Sequence, residues 1–225
     1  MNNILIKVEN LVKTFGGLVA LNDCSLEIKD KAITGIIGPN GSGKTTLFNV
    51  ITGNLKPDTG KVFYNGVEIT NEESHDLFHL GVLRTFQIAH EFSNMTVIEN
   101  LMVVPGNQKG EKLLYSLMNS QKIKKEDELI KDKAMEVLKF LKIEHLKNER
   151  AGNLSGGQKK LLELARTMMV DAKIVFLDEV GAGVNKTLLR DISDSILKLN
   201  QDKGYTFCMI EHDFNFISEL CDPVI

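Results

Sequence analysis

The chain has 225 residues, 43% hydrophobic and 25% charged: ordinary globular composition, enough to bury a sizeable core as one large domain or two joined lobes. A formal net charge of −3 provides no global positive field, so nucleic acid is not an expected partner. No apolar run approaches the length that spans a bilayer, and Met1-Asn2-Asn3 opens no secretory signal, so the chain itself is expected in the cytosol.

Residues 4–8 alternate as a strand and lead to a turn-like Phe15-Gly16-Gly17; residues 18–21 and 24–28 read as two further short strands. A β-branched run at 33–37 suits a buried strand, and 45–51 reads as a helix. Between them lies Gly38-Pro39-Asn40-Gly41-Ser42-Gly43-Lys44-Thr45, which fits G-x-x-x-x-G-K-[ST], a loop that cradles phosphates. Its glycines let the backbone curl and turn successive N–H groups toward one anion, and the following helix aims its positive end there. Lys44 is placed to reach the β- and γ-phosphates, the Thr45 hydroxyl to bind Mg²⁺, and Thr46 completes the nucleotide-binding set.

Residues 61–64 and 67–69 flank Asn65-Gly66, a strong hairpin signal. The middle of the chain differs. Within 129–143, Ile130, Ala134, Val137, Leu138 and Leu141 share one helical stripe, and the charged run 122–128 that leads into it reads as a solvated helix face and linker. Residues 90–150 are therefore expected to form a mostly helical insertion. The three cysteines, Cys24, Cys208 and Cys221, lack C-x-x-C spacing, and buried reduced thiols are the default; His75 and His79 lack the companions of a metal site.

From Gly156 the pattern becomes helix to about 169, strand 174–177, helix 186–199, strand 206–210 and a helix to about 220. Such alternation implies a parallel sheet with crossover connections. Val224-Ile225 looks like the start of another strand. Leu154-Ser155-Gly156-Gly157-Gln158 precedes an amphipathic run, and a serine with two glycines at a helix start makes a second anion site. Ile174-Val175-Phe176-Leu177-Asp178-Glu179 is an apolar strand ending in two carboxylates, where doubly wound sheets hold ligands. Asp178 suits Mg²⁺, through water, and Glu179 suits general-base work on a water attacking the γ-phosphate.

With these three motifs in this order, the chain resembles the ATP-binding-cassette (ABC) ATPases over essentially its full length. The resemblance implies a P-loop NTPase α/β core with a mainly parallel sheet, a small antiparallel β-subdomain and a helical subdomain insertion. It implies a single ABC ATPase domain over 1–225, with 1–89 and 156–225 as the nucleotide-binding lobe and about 90–155 as the helical, signature-bearing lobe. It implies two cassettes paired head to tail, homo- or heterodimeric, with Ser155, Gly156, Gly157 and Gln158 of one subunit acting in trans on the other's ATP. Phe15 stands where an aromatic ring stacks on adenine. Gln87, in Arg84-Thr85-Phe86-Gln87, matches the glutamine that senses Mg²⁺ and the attacking water. His212, in Ile210-Glu211-His212-Asp213, matches the switch histidine on the γ-phosphate. The catalytic set is thus Glu179, His212, Gln87 and Lys44, with Thr45, Gln87 and Asp178 at the metal.

Two segments look like the cassettes that drive branched-chain amino-acid uptake: Gly81–Gln87 with the stretch from Phe92 to Leu101, and Asp178-Glu179-Val180-Gly181-Ala182-Gly183-Val184-Asn185 with Ile210–Asp213. The implied role is the ATP-hydrolysing motor of a membrane transporter, peripheral on the cytoplasmic face of the inner membrane, with permease subunits and a periplasmic binding protein as partners. Cassettes for urea, short amides or lipopolysaccharide export share much of this pattern and stay open, as does a soluble ABC ATPase acting on DNA or ribosomes. Val180 and Lys186 replace prolines common in the family, which removes backbone stiffness rather than a reacting group. The end at Ile225 falls a strand and more short of the usual family length. Phe92 and Met95, close after Gln87, are the expected docking patch for a permease.

Overall fold

The computed structural model describes residues 3–85, 91–106, 108 and 120–225. The chain divides into two compact units: Met1–Gln87 with Ala172–Ala182 and Ile196–Ile225, and Ile88–Asp171 with Gly183–Ser195. In the first unit the described strands are β1 (Ile4–Phe15), β2 (Leu18–Lys29), β3 (Ile33–Ile36), β4 (Thr59–Tyr64), β5 (Val67–Glu68), β6 (Val82–Arg84), β7 (Ile174–Asp178) and β8 (Thr206–Ile210). They form an antiparallel sheet in the order β2-β1-β4-β5 and a parallel sheet in the order β3-β8-β7-β6.

The antiparallel sheet begins as a hairpin, with Phe15 opposite Leu18 across Gly16-Gly17. Residues 18–21 and 24–28, expected as two strands, are one continuous β2. Asn22-Asp23 has turn composition, yet the chain absorbs it as an irregularity in register. Asp23 and, across from it, Asn10 adopt left-handed backbone (φ 53° and 50°), a conformation Asn and Asp tolerate better than other side chains. The Asn10 side-chain amide donates to Asp23 Oδ1 at 2.6 Å, and its backbone N–H donates to Ser25 Oγ at 2.9 Å. Asn65 and Gly66 both take positive φ (49° and 81°), the requirement of a two-residue hairpin loop, and join β4 to β5.

Every residue of β3, β7 and β8 is buried, as expected of a parallel sheet covered on both faces. Helix α1 (Lys44–Ile51) puts Leu47, Phe48, Val50 and Ile51 into the same core. There the Phe48 ring meets Phe176 edge-on, with centroids 4.9 Å apart. Burying a side chain of this size stabilises the fold by about 1.5–3 kcal/mol. Val224-Ile225 runs beside β3: Gly35 N–H donates to Pro223 O at 2.9 Å, and Ile225 N–H donates to Gly35 O at 2.8 Å. A short α2 (Ser74–His79) precedes β6.

In the second unit α3 (Val97–Met102), α4 (Ser120–Phe140) and α5 (Gly156–Met168) pack on one another. The stripe is as expected, with Ala134, Val137, Leu138 and Leu141 buried and Ile130 half-buried. The charged run 122–128 is a solvated helix face, as expected, with its side chains mostly exposed, but it belongs to the first turns of α4 rather than to a linker. The helical grouping also reaches past residue 155, where the sequence suggested it would stop. Leu161, Leu164 and Ala165 of α5 are buried, and Lys133 Nζ of α4 donates to Met169 O just beyond it at 3.1 Å. The N-terminal half of α6 (Lys186–Lys203) belongs here and the remainder to the first unit. Buried Asn100 ties down the loop before α3, its amide donating to Phe92 O and Thr96 O while its oxygen accepts from Phe92 N–H at 2.8 Å. Helix α7 (Phe214–Leu220) closes the first unit, its N-terminus capped by the Asp213 carboxylate. No described helix is long and apolar enough to cross a membrane.

Candidate functional site

The phosphate-cradling loop, Glu179 and His212 lie at the C-terminal ends of β3, β7 and β8. In an open parallel sheet this is where ligands bind. They line one cleft of about 320 Å³, together with Phe15, Leu18, Val19 and Ala20 from the β1–β2 hairpin. Asn40, Gly41, Ser42, Gly43, Lys44, Thr45 and Thr46 all face it; Gly38 and Pro39 stand at the start of the loop. Gly43 has φ 89°, and a Cβ there would run into the Ala20 carbonyl, so no other residue fits between the loop and β2.

Lys44 is only 9% exposed. Its ammonium is held by the loop itself, donating to Gly38 O at 2.8 Å and Pro39 O at 2.9 Å. A positive charge is thereby fixed beneath a ring of backbone at the N-terminus of α1, an arrangement suited to a polyanion. Phe15 is 48% exposed at the hairpin tip, with Lys13 Nζ 5.7 Å from its ring centre. Lys13 is paired in turn with Asp58, whose carboxylate also accepts from the Thr14 N–H and hydroxyl, both at 2.7 Å. Those bonds, Lys13's first, hold the Asp58 carboxyl at about 2, well below the usual carboxylate range.

Glu179 has left-handed backbone (φ 50°), which turns its carboxylate so that Oε1 lies 3.0 Å from His212 Nε2. The two are 33 residues apart in sequence and meet because β7 and β8 are neighbours, with Asp178 paired to Ile210. Asp178 does not line the cleft. It is 2% exposed, and its Oδ2 accepts from Arg84 Nη2 at 2.7 Å; the same guanidinium bonds Asn49 Oδ1 on α1. Sequence reasoning named Arg84 only as part of a motif and missed Asn49, because neither carries a recognisable pattern without its partner. Gln87 lies outside the described residues.

The oxygen donors present, the Thr45 hydroxyl and the Asp178 carboxylate, are hard ligands of the kind Mg²⁺ takes alongside substrate phosphates. Among the described residues no group of three or more His, Cys, Asp or Glu could hold a metal by itself. Cys208 and Cys221 are buried, Cys24 is half-buried, and burial pushes all three thiols up, Cys221 to about 12.

In the second unit Ser155 caps α5: its Oγ accepts from Gln158 N–H, and Ser155 N–H donates to Gln158 Oε1 at 2.9 Å. Ser155 and Gly156 are exposed, whereas a Cβ on buried Gly157 would collide with the Leu188 side chain. Phe92 is 51% exposed, with the Arg166 guanidinium 5.5 Å from its ring centre, and Met95 is half-buried.

Residues 21–182 match the sequence pattern of a family described as ABC transporter. The chain belongs to that family. A relative from Methanocaldococcus jannaschii, named probable branched-chain amino acid transport ATP-binding protein LivG, is 44% identical over 218 residues, covering 97% of this chain and 84% of its own. A crystal structure of a nucleotide-free ATP-binding cassette from an ABC transporter superposes with TM-score 0.84 at 43% identity, covering 98% of this chain and 86% of that one. The dimeric structure of a bacterial ABC transporter cassette gives 0.79 at 25% identity, covering 98% and 93%. This protein is thus an ATP-binding cassette with ATPase chemistry, its α/β core the one its motifs implied.

Proposed function

We propose that this cassette is the motor of a transporter that takes up branched-chain amino acids, docked on the cytoplasmic face of the membrane. The observation that carries the ATPase half is the single cleft shared by the phosphate loop, Glu179, His212 and Phe15. Phe15 offers its exposed face to adenine. The backbone N–H groups of the loop and the Lys44 ammonium take the phosphates. When bound, Mg²⁺ would neutralise phosphate charge; Thr45 and Gln87 are the residues that would hold it, with Asp178, paired to Arg84 outside the cleft lining, reaching it through water. As a water oxygen attacks the γ-phosphorus, Glu179 takes the proton and the bond to the ADP oxygen breaks. His212, oriented by Glu179, donates to the γ-phosphate.

The cargo is inferred from the relative's name and its 44% identity. Two copies, or two different cassettes, are proposed to pair head to tail, with Ser155, Gly156, Gly157 and Gln158 of one closing on the nucleotide of the other; the dimeric relative supports pairing. Phe92 and Met95 are the proposed contact for a permease subunit, which a periplasmic binding protein would supply with cargo.

Complementation tests the paired site. Ser155→Arg and Lys44→Ala should each abolish hydrolysis alone. Their mixture should regain part of it, since one composite site keeps an intact loop and an intact signature. If Ser155 serves its own subunit's nucleotide, the mixture stays inactive and the trans arrangement is wrong. Cargo is tested by reconstitution with the neighbouring permease genes: leucine, not urea, should drive ATP-dependent uptake.

A further inference from the structure

Glu211 lies directly before His212 and is 5% exposed, yet none of the reacting roles falls to it. Its Oε1 accepts the backbone N–H of Gly181 at 2.7 Å. Gly181 is two residues beyond Glu179, inside a turn in which Ala182 N–H donates to Glu179 O at 3.2 Å. A second tie lies behind it, where Glu179 N–H donates to Ile210 O at 3.0 Å. The buried Glu211 side chain and this backbone bond together join the segment around the end of β8 to the turn that follows β7, beside the Glu179–His212 contact.

The turn needs such a tie. Glu179 holds a positive φ, which side chains rarely adopt and which persists only where the surroundings impose it. We propose that Glu211 is a positioning residue for hydrolysis: by gripping Gly181 it keeps Glu179 in its left-handed turn and within reach of His212. The proposal rests on the catalytic reading of Glu179 and His212 given above. Burial pushes the Glu211 carboxyl above its ordinary range, opposed by the Gly181 and His212 N–H donors; nearby Glu179 adds to the rise and His212 opposes it. A neutral side chain that keeps an acceptor oxygen therefore fits this place.

Two variants separate geometry from folding. Glu211→Gln retains an oxygen for Gly181 N–H and should keep kcat within about threefold of the parent. Glu211→Leu removes the acceptor and should lower kcat by roughly tenfold or more while KM for ATP stays within about twofold, because misplacing a reacting group costs rate rather than binding. The His212 imidazole signals, read by NMR in the full chain, should move in Glu211→Leu and stay near the parent in Glu211→Gln. The proposal is overturned if Glu211→Leu turns over at the parental rate, if its His212 signals are unmoved, or if Gln is as damaging as Leu. Glu179→Gln in parallel keeps the two readings distinct. Normal hydrolysis there sinks the underlying assignment; a dead Glu179→Gln beside a normal Glu211→Leu sinks only this one.

Discussion

The two sheets of the first unit serve the same cleft in opposite ways. The parallel sheet is buried throughout β3, β7 and β8, and its contributions leave from strand ends: the phosphate loop after β3, Glu179 after β7, His212 after β8. The antiparallel sheet is half exposed and irregular in register, and it contributes Phe15 from a hairpin tip. Reacting groups must hold position to fractions of an ångström, and a close-packed core holds them. Stacking on a flat base tolerates more play, so an exposed hairpin suffices.

If that contrast is right, Phe176→Ala in the parallel sheet should cost about 3–5 kcal/mol in urea unfolding, because the Phe48 edge contact and the surrounding core lose their filler. Val67→Ala, on exposed β5, should stay within about 0.5 kcal/mol. Similar losses at both positions would erase the distinction. Glu179→Gln comes next: phosphate release should slow by roughly 10²-fold while nucleotide still binds, the scale for a lost positioned base. Phe15→Ala should weaken ATP binding by roughly tenfold, as expected for one lost base–aromatic stack, with kcat little changed. A drop in kcat with unaltered affinity would mean that the hairpin does more than recognise the base.

The smallest effect belongs to Asp58, whose carboxyl sits at about 2 in the fold against an ordinary 3.8. A depressed carboxyl contributes stability above its unfolded value and loses it as pH falls through the folded one. The advantage of the parent over Asp58→Asn should therefore shrink between pH 3.8 and about 2, measured by thermal unfolding. A constant difference across that window would show that the Lys13 and Thr14 bonds contribute nothing through charge.

The same contrast explains what the sequence disclosed. The phosphate loop was legible because glycine spacing dictates a backbone shape, and Asp178-Glu179 because an apolar run ending in acids marks a strand tip. The turn at Gly16-Gly17 and the hairpin at Asn65-Gly66 were local and legible too. Asn22-Asp23 misled, since the residue types that make turns also make bulges, and only the partner strand decides between them. The Asn49–Arg84–Asp178 cluster and the grip of Glu211 on Gly181 join elements distant in the chain, and no local pattern announces either. The extent of the helical grouping past residue 155 was hidden for the same reason: α5 begins with a loop-like signature, and its burial depends on α4.

The strand orders also set a sequence in time. All pairings of the antiparallel sheet fall between Ile4 and Glu68, so it can close while most of the chain is still being synthesised. β3 is made just after β2, but its neighbour β8 ends at Ile210, and β6 waits for β7. Long-range parallel pairing is slow, and unpaired apolar strands attract other chains meanwhile. The nascent cassette therefore carries an apolar β3 and a glycine-rich loop without their sheet until β8 emerges. That interval is when it most needs shielding by a chaperone.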